Sequence, residues 1–157
     1  MNKEIYLNMK SEQLIMPFKI LLADDDADDC FFFEKALKEI PIETHLTIFR
    51  DGEQLMNYLN DNSDLLPDIL FLDLSMPRKT GFECLSEIKE NEKLKKIPVV
   101  VFTTSFTSGI EFERNLINTL SDIGSEEYIR KPSNFEQLKQ IIHSSLNKVI
   151  EKTAKIH

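Results

Sequence analysis

The sequence predicts an α/β fold, a doubly wound, five-stranded parallel sheet with helices on both faces. Short apolar runs alternate along the chain with stretches of helical periodicity, and three of those runs, Phe18 to Ala23, Ile69 to Leu72 and Val99 to Phe102, are nearly unbroken before they end abruptly in polar residues. A run without polar alternation is buried on both faces, as in a parallel strand covered by crossover helices. Repeated strand–helix alternation with right-handed crossovers then gives an open sheet.

Each element follows in order. Phe18 to Ala23 reads as the first strand, with a lone Lys19 and aspartates at its end. Asp28 to Ile40 carries Phe33, Ala36, Leu37 and Ile40 on one helical face, with Asp28 and Asp29 suited to the positive end of the helix and Pro41 closing it. His45 to Phe49 is a strand, Asp51-Gly52 a turn, and Glu53 to Asn60 a helix burying Leu55, Tyr58 and Leu59. Ile69 to Leu72 is the third strand, followed by a helix over Gly81 to Asn91 that buries Phe82, Leu85 and Ile88. Val99 to Phe102 leads to a helix over Glu111 to Leu120, and Tyr128 to Arg130 makes a short fifth strand. Ser133-x-x-Glu136 has the form of a capping box opening a last helix, whose inner face is Leu138, Ile141, Ile142, Ser145 and Val149. Residues 1–17 read as an extension, 18–150 as one domain and 151–157 as a tail.

The 157 residues suit one domain, and 41% hydrophobic with 29% charged residues is an ordinary globular composition. The net charge of -8 repels phosphate backbones, which argues against direct nucleic-acid binding. No apolar run approaches membrane-span length, and Met1 to Met16 is too interrupted by charge for a signal peptide. Two separated cysteines, Cys30 and Cys84, make no disulfide framework, so a cytoplasmic location is expected. Their helices belong on opposite faces of the sheet, beyond the reach of a bridge.

In open sheets of this kind ligands bind beyond the carboxyl ends of the strands. The residues there are Asp24 and Asp25, Asp73, Thr103 and Lys131. Five aspartates crowd between Asp24 and Asp29 and call for a cation or for hydration. Carboxylates with a carbonyl and waters are ligands Mg2+ prefers. A carboxylate can serve as nucleophile toward a phosphoryl group while a cation, an ammonium and a hydroxyl meet its oxygens. Singly, each residue has a plainer role as turn former, cap or surface charge. The case lies in their arrival after four different strands.

These segments resemble the receiver domains of two-component response regulators. Ile20 to Asp26 resembles their acidic-pair strand, and Ile69 to Pro77 with Gly81 their phosphoacceptor strand. Pro98 to Thr103 resembles the switch-hydroxyl strand, and Tyr128-Ile129-Arg130-Lys131-Pro132 the switch-aromatic and Lys-Pro segment. Thr103-Thr104-Ser105 and Pro132 to Phe135 are also similar to small regulators serving phytochrome-type kinases. The resemblance implies a flavodoxin-like strand order 2-1-3-4-5. It implies Asp73 as phosphoacceptor, and Mg2+ held by Asp25, Asp73 and the Ser75 backbone carbonyl, with Asp24 acting through water. Lys131 would pair with the acceptor and then the phosphoryl group, Thr103 would close on a phosphoryl oxygen, and Tyr128 would turn inward behind it. The implied partners are a sensor histidine kinase or phosphotransfer protein and a downstream protein, with no membrane and no nucleic acid, and the chain would be a monomer or a phosphorylation-dependent homodimer. Such a domain assists its own phosphorylation and does not turn over external substrates. A cis Lys131-Pro132 bond is expected on the same ground.

Two departures stand out. Thr103 to Lys131 spans more positions than the family pattern, which enlarges the stretch before Gly124, and Thr104 stands where a smaller residue is usual. The enlarged stretch, with Phe106, Ile110, Phe112, Leu116, Ile117 and Leu120, is expected to read a partner in response to phosphorylation. The alternative function is a haloacid-dehalogenase-type phosphohydrolase using Asp24-x-Asp26, with Thr103 or Ser105 and Lys131 as further motifs. It leaves Asp73 and Met76-Pro77 without a role.

Overall fold

A computed structural model of the chain describes residues 16–104 and 109–156. Five strands, β1 (Phe18–Ala23), β2 (Thr44–Phe49), β3 (Ile69–Leu72), β4 (Val99–Thr103) and β5 (Glu127–Arg130), alternate with five helices. The helices are α1 (Ala27–Glu39), α2 (Gly52–Asp61), α3 (Gly81–Glu90), α4 (Ile110–Ile123) and α5 (Phe135–Ile156). The sheet order is β2-β1-β3-β4-β5 and every pairing is parallel, as the resemblance implied.

The alternation of side chains along a strand divides the core in two. Leu21, Ala23, Leu70, Leu72, Val99 and Val101 face α2, α3 and Leu120 of α4. Ile20, Leu22, Ile69, Phe71, Val100 and Phe102 face α1 and α5. Both sides are dry, so the strands must be apolar at consecutive positions. A one-residue slip of register would exchange the two sets. Phe33 of α1 packs edge-on against Phe71 and Phe102, with ring centroids at 4.9 and 5.8 Å. Cys30 lies in the core under α1 and Cys84 in the core under α3; both thiols are free. Burial raises Cys30 to about 11 and Cys84 to about 12, so both remain protonated packing residues.

Most helix starts are capped by the side chain just before them. Asp26, Asp51 and Thr80 accept from the backbone N–H of Asp29, Gln54 and Glu83, at 2.9, 2.8 and 3.2 Å. At α5 the expected box is displaced by one residue. Asn134 Oδ1 accepts from Gln137 N at 3.1 Å, so Asn134-x-x-Gln137 rather than Ser133-x-x-Glu136 opens the helix. The helix then runs on past residue 150 to Ile156. α4 is preceded by Gly109, which has φ 101° and makes no side-chain cap, and is followed by Gly124 with φ 129°. The latter is the left-handed stop that glycine tolerates best. No described helix is long and apolar enough to cross a membrane.

Candidate functional site

The sheet itself delivers the site. Three strand-end residues hang by their amides from the last carbonyl of a neighbouring strand: Asp24 N donates to Phe49 O at 2.9 Å, Asp73 N to Ala23 O at 3.0 Å and Lys131 N to Thr103 O at 2.7 Å. The ladder therefore continues one residue beyond each strand and fixes where these side chains leave the backbone. Gly81 closes the floor from the other side. A Cβ there would lie 2.2 Å from the Asp73 carbonyl oxygen and 2.7 Å from Leu74 Cα, so the β3–α3 connection folds this tightly only over a glycine.

Carboxylate oxygens of Asp24, Asp25 and Asp73 lie within 4.8 Å of one another. Asp24 and Asp73 are buried, whereas Asp25 is exposed. The Lys131 ammonium sits 2.7 Å from Asp24 Oδ2, 2.8 Å from Asp29 Oδ2 and 3.2 Å from Asp73 Oδ2. It also stands 5.7 Å from the centroid of the Phe102 ring. Thr103 Oγ1 donates to Asp73 Oδ1 at 3.0 Å, and Ser75 N donates to the same oxygen at 3.2 Å. Asp73 is thus held through both oxygens, by a hydroxyl and an amide on one side and an ammonium on the other.

Burial pushes the Asp24 carboxyl up to about 6, against the pull of Lys131 and the amide of Asp26. Burial also works against the Lys131 charge, but Asp24 and Asp29 outweigh it and hold the ammonium above its ordinary range. The contact between Lys131 and Asp24 Oδ2 is an ion pair without the alignment of a hydrogen bond, and that buried oxygen has no hydrogen-bond donor. An unsatisfied buried carboxylate oxygen beside two further carboxylates is a donor set that fits a hard divalent cation. The residues thus suit Mg2+.

The sequence-predicted residues are therefore brought together, with Tyr128 set apart behind them. Its hydroxyl is buried without a hydrogen-bond partner, and its ring packs against the core under α2, α3 and α4. The Lys131-Pro132 expectation is corrected: no described peptide bond is cis. The ladder bond from Lys131 N to Thr103 O already sets the lysine's direction, and its ammonium reaches Asp73 with a trans bond following. The phosphohydrolase alternative finds no support, because Asp26 spends its Oδ1 capping α1 and lies outside the carboxylate cluster. The enlarged stretch after β4 falls partly outside the described residues, since 105–108 are not among them; Thr104 is exposed.

Sequence reasoning missed three contributors. Asp29, suited by its position to the helix end, also supplies a third carboxylate to Lys131. Arg50 Nη2 donates to the Asp25 carbonyl at 3.2 Å, and Arg78 Nη1 pairs with buried Asp51 at 3.0 Å, tying the turn before α2 to the loop after Asp73. Asp29 had a signal: side chains of a first helical turn lean back toward the N-terminus, here toward the strand ends.

Known proteins share this fold. The family model for the response regulator receiver domain matches residues 20–143. Response regulator Rcp1 of Synechocystis sp. is 40% identical over 99 residues, covering 60% of this chain and 67% of that protein. A protein of Methanothrix harundinacea named "Probable methanogenesis regulatory protein FilR2" is 35% identical over 129 residues, covering 80% of this chain and 79% of its own. Among solved structures, the Mn(2+)-bound form of Rcp1 superposes with a TM-score of 0.70 at 32% identity, covering 82% of this chain and 91% of that one. The phosphorylated cyanobacterial phytochrome response regulator RcpA gives 0.70 at 34%, covering 82% and 90%. Fold, strand-end chemistry and family model converge: this chain belongs to the response-regulator receiver family of two-component signalling.

Proposed function

We propose that Asp73 is the phosphoacceptor and that the domain receives its phosphoryl group from a sensor histidine kinase or a phosphotransfer protein. The observation that carries this reading is the holding of Asp73, whose two oxygens meet Thr103 Oγ1 at 3.0 Å and Lys131 Nζ at 3.2 Å beside the acidic pair. An Asp73 carboxylate oxygen attacks phosphorus, the bond from phosphorus to the donor's imidazole nitrogen breaks, and the imidazole leaves with the electron pair. Charge grows on the phosphoryl oxygens during transfer, and preorganised donors aimed at those oxygens lower the barrier. Lys131 and Thr103 are placed to be those donors. Asp25, Asp73 and the Ser75 carbonyl would hold Mg2+, with Asp24 acting through water. When bound, the cation would supply positive charge toward these carboxylates and the phosphoryl oxygens.

Thr103 then exchanges its partner, from Asp73 Oδ1 to a phosphoryl oxygen. The displacement passes along β4 toward Tyr128, whose unpartnered hydroxyl is free to take a new acceptor inside. A protein-binding surface responds to that change. Thr104 follows the switch hydroxyl directly and narrows the approach to the acceptor.

Intact-mass analysis after treatment with acetyl phosphate and Mg2+ tests the assignment. One phosphoryl group on the wild type and none on Asp73→Asn is the expected result. Undiminished single-site labelling of the Asn variant would place the acceptor elsewhere. In a Mg2+ titration, Asp25→Ala binds clearly more weakly than wild type, and equal affinity would remove Asp25 from the ligand set.

A further inference from the structure

Lys131 has one ammonium and three carboxylate neighbours, and the nearest two are not the acceptor. Asp29 Oδ2 accepts from Lys131 Nζ at 2.8 Å, closer than Asp73 Oδ2 at 3.2 Å. Asp29 sits in the first turn of α1, where its amide is tied to the Asp26 cap, so the carboxylate approaches Lys131 from the helix rather than from the sheet. It lies outside the group of carboxylates that converge for a cation. Its charge is therefore not shared with the metal site, and its polar contact is with the lysine. Both Asp29 and Lys131 line a cavity of about 110 Å3 between α1 and the start of α5. The Lys131 side chain is 8% exposed and that of Asp29 36%, so the ammonium is enclosed while its partner faces water.

We propose that Asp29 is a positioning residue, which anchors the Lys131 ammonium beside Asp73 and competes with incoming phosphoryl oxygens for it. The inference rests on the phosphoacceptor reading above. A phosphoryl group arriving at Asp73 draws on the same ammonium that Asp29 engages, and it brings negative charge close to a carboxylate that lies outside the group suited to a metal ion. Asp29 thereby sets how strongly the site draws in an anion. An amide at this position keeps an oxygen to orient the ammonium and removes the competing charge.

The test measures beryllofluoride affinity in saturating Mg2+ and the rate of Asp73 labelling by acetyl phosphate. Asp29→Asn is expected to bind beryllofluoride at least about twofold and up to about tenfold tighter than wild type, the scale of one partly solvated charge contact. Its labelling rate rises in parallel, while Asp29→Glu restores wild-type values. Asp28→Asn removes an equal charge from the same helical turn without touching Lys131, and it stays within twofold of wild type in both measurements. A purely structural role, as a favourable charge at the helix N-terminus, would lower the unfolding free energy of both Asn variants and leave anion affinity unchanged. Affinity of Asp29→Asn within twofold of wild type overturns the proposal, as does an equal gain in Asp28→Asn. If wild type itself is neither labelled at Asp73 nor bound by beryllofluoride, the phosphoacceptor reading falls and this inference with it. Labelling of wild type with an unaltered Asp29→Asn removes the inference alone.

Discussion

The strand-end site gathers residues from four strands and helix α4 follows one of them, β4, yet the two are held in opposite ways. Asp24, Asp73 and Lys131 are each fixed by a ladder bond to a neighbouring strand, and backbone presses on backbone at Gly81. α4 has 14 residues and buries only Leu120 completely. Leu116 and Ile123 pack partly against the core, while Ile110 is 81% and Ile117 37% exposed. Its N-terminus has no side-chain cap. A site that must place charges within tenths of an ångström is built on the rigid sheet, and a helix with few buried contacts is left to move at lower cost. The segment between Thr103 and Ile110 joins the two, which is where, on the proposed function, a displacement of the Thr103 hydroxyl would first be felt.

The sharpest way to break this contrast is at Gly81. Gly81→Ala puts a methyl group against the Asp73 carbonyl and Leu74 Cα, both backbone atoms that have no rotamer to relieve the clash. We expect a loss of about 3 kcal/mol or more in urea unfolding. On the proposed function, acetyl phosphate labelling falls with it, because the Asp73 backbone must shift. A variant as stable and as active as wild type would mean that the β3–α3 connection is loose.

A smaller effect separates the buried seam of α4 from its edge. Leu120→Ala opens a cavity in the core and is expected to cost about 2–4 kcal/mol. Ile117→Ala, one turn earlier and more exposed, is expected to cost less than about 1 kcal/mol. Equal losses from both would show that the outer face of α4 is covered in solution, and would give α4 the same anchoring as the site.

The same contrast governs what the sequence discloses. β3 and β4 are legible because both faces of the central sheet are dry, so Ile69 to Leu72 and Val99 to Phe102 have no polar position to confuse the period. Once the strands are placed, parallel topology puts Asp24, Asp73, Thr103 and Lys131 on one edge without further information. Side-chain competition is less legible. Asp29 satisfies a helix end as well as an ammonium, and nothing in its spacing distinguishes the two roles. Ser133-x-x-Glu136 and Asn134-x-x-Gln137 overlap one residue apart, and only the path of the chain after Pro132 chooses between them. α4 has more apolar residues than its one buried position requires, so periodicity alone could not say which face it would bury.

The last difference is one of pH. Asp24 is fully buried, and its carboxyl titrates near 6 in the folded protein against 3.8 ordinarily. A carboxyl with a raised folded value binds its proton more tightly in the native state. Its contribution to stability is complete below about pH 4 and is lost as pH rises through 6. At neutral pH, without divalent cation, the ionised Asp24 is therefore a net cost, only partly offset by Lys131. Asp24→Asn removes the ionisation and keeps the shape. We expect the variant to exceed wild type by about 1–2 kcal/mol at pH 7, a discounted fraction of what a shift of this size implies at 1.36 kcal/mol per unit. The gain fades toward zero below pH 4, where Asp24 is neutral in both folded and unfolded wild type. Saturating Mg2+ stabilises wild type more than the variant and narrows the gap, because a cation that prefers the folded site stabilises the folded state by mass action. Urea unfolding at pH 3.5, 5 and 7, with and without Mg2+, measures each of these. An Asp24→Asn variant less stable than wild type at pH 7 would mean that the pairing of Asp24 with Lys131 outweighs the burial of its charge, and that the acidic site stabilises the fold just as the dry core does.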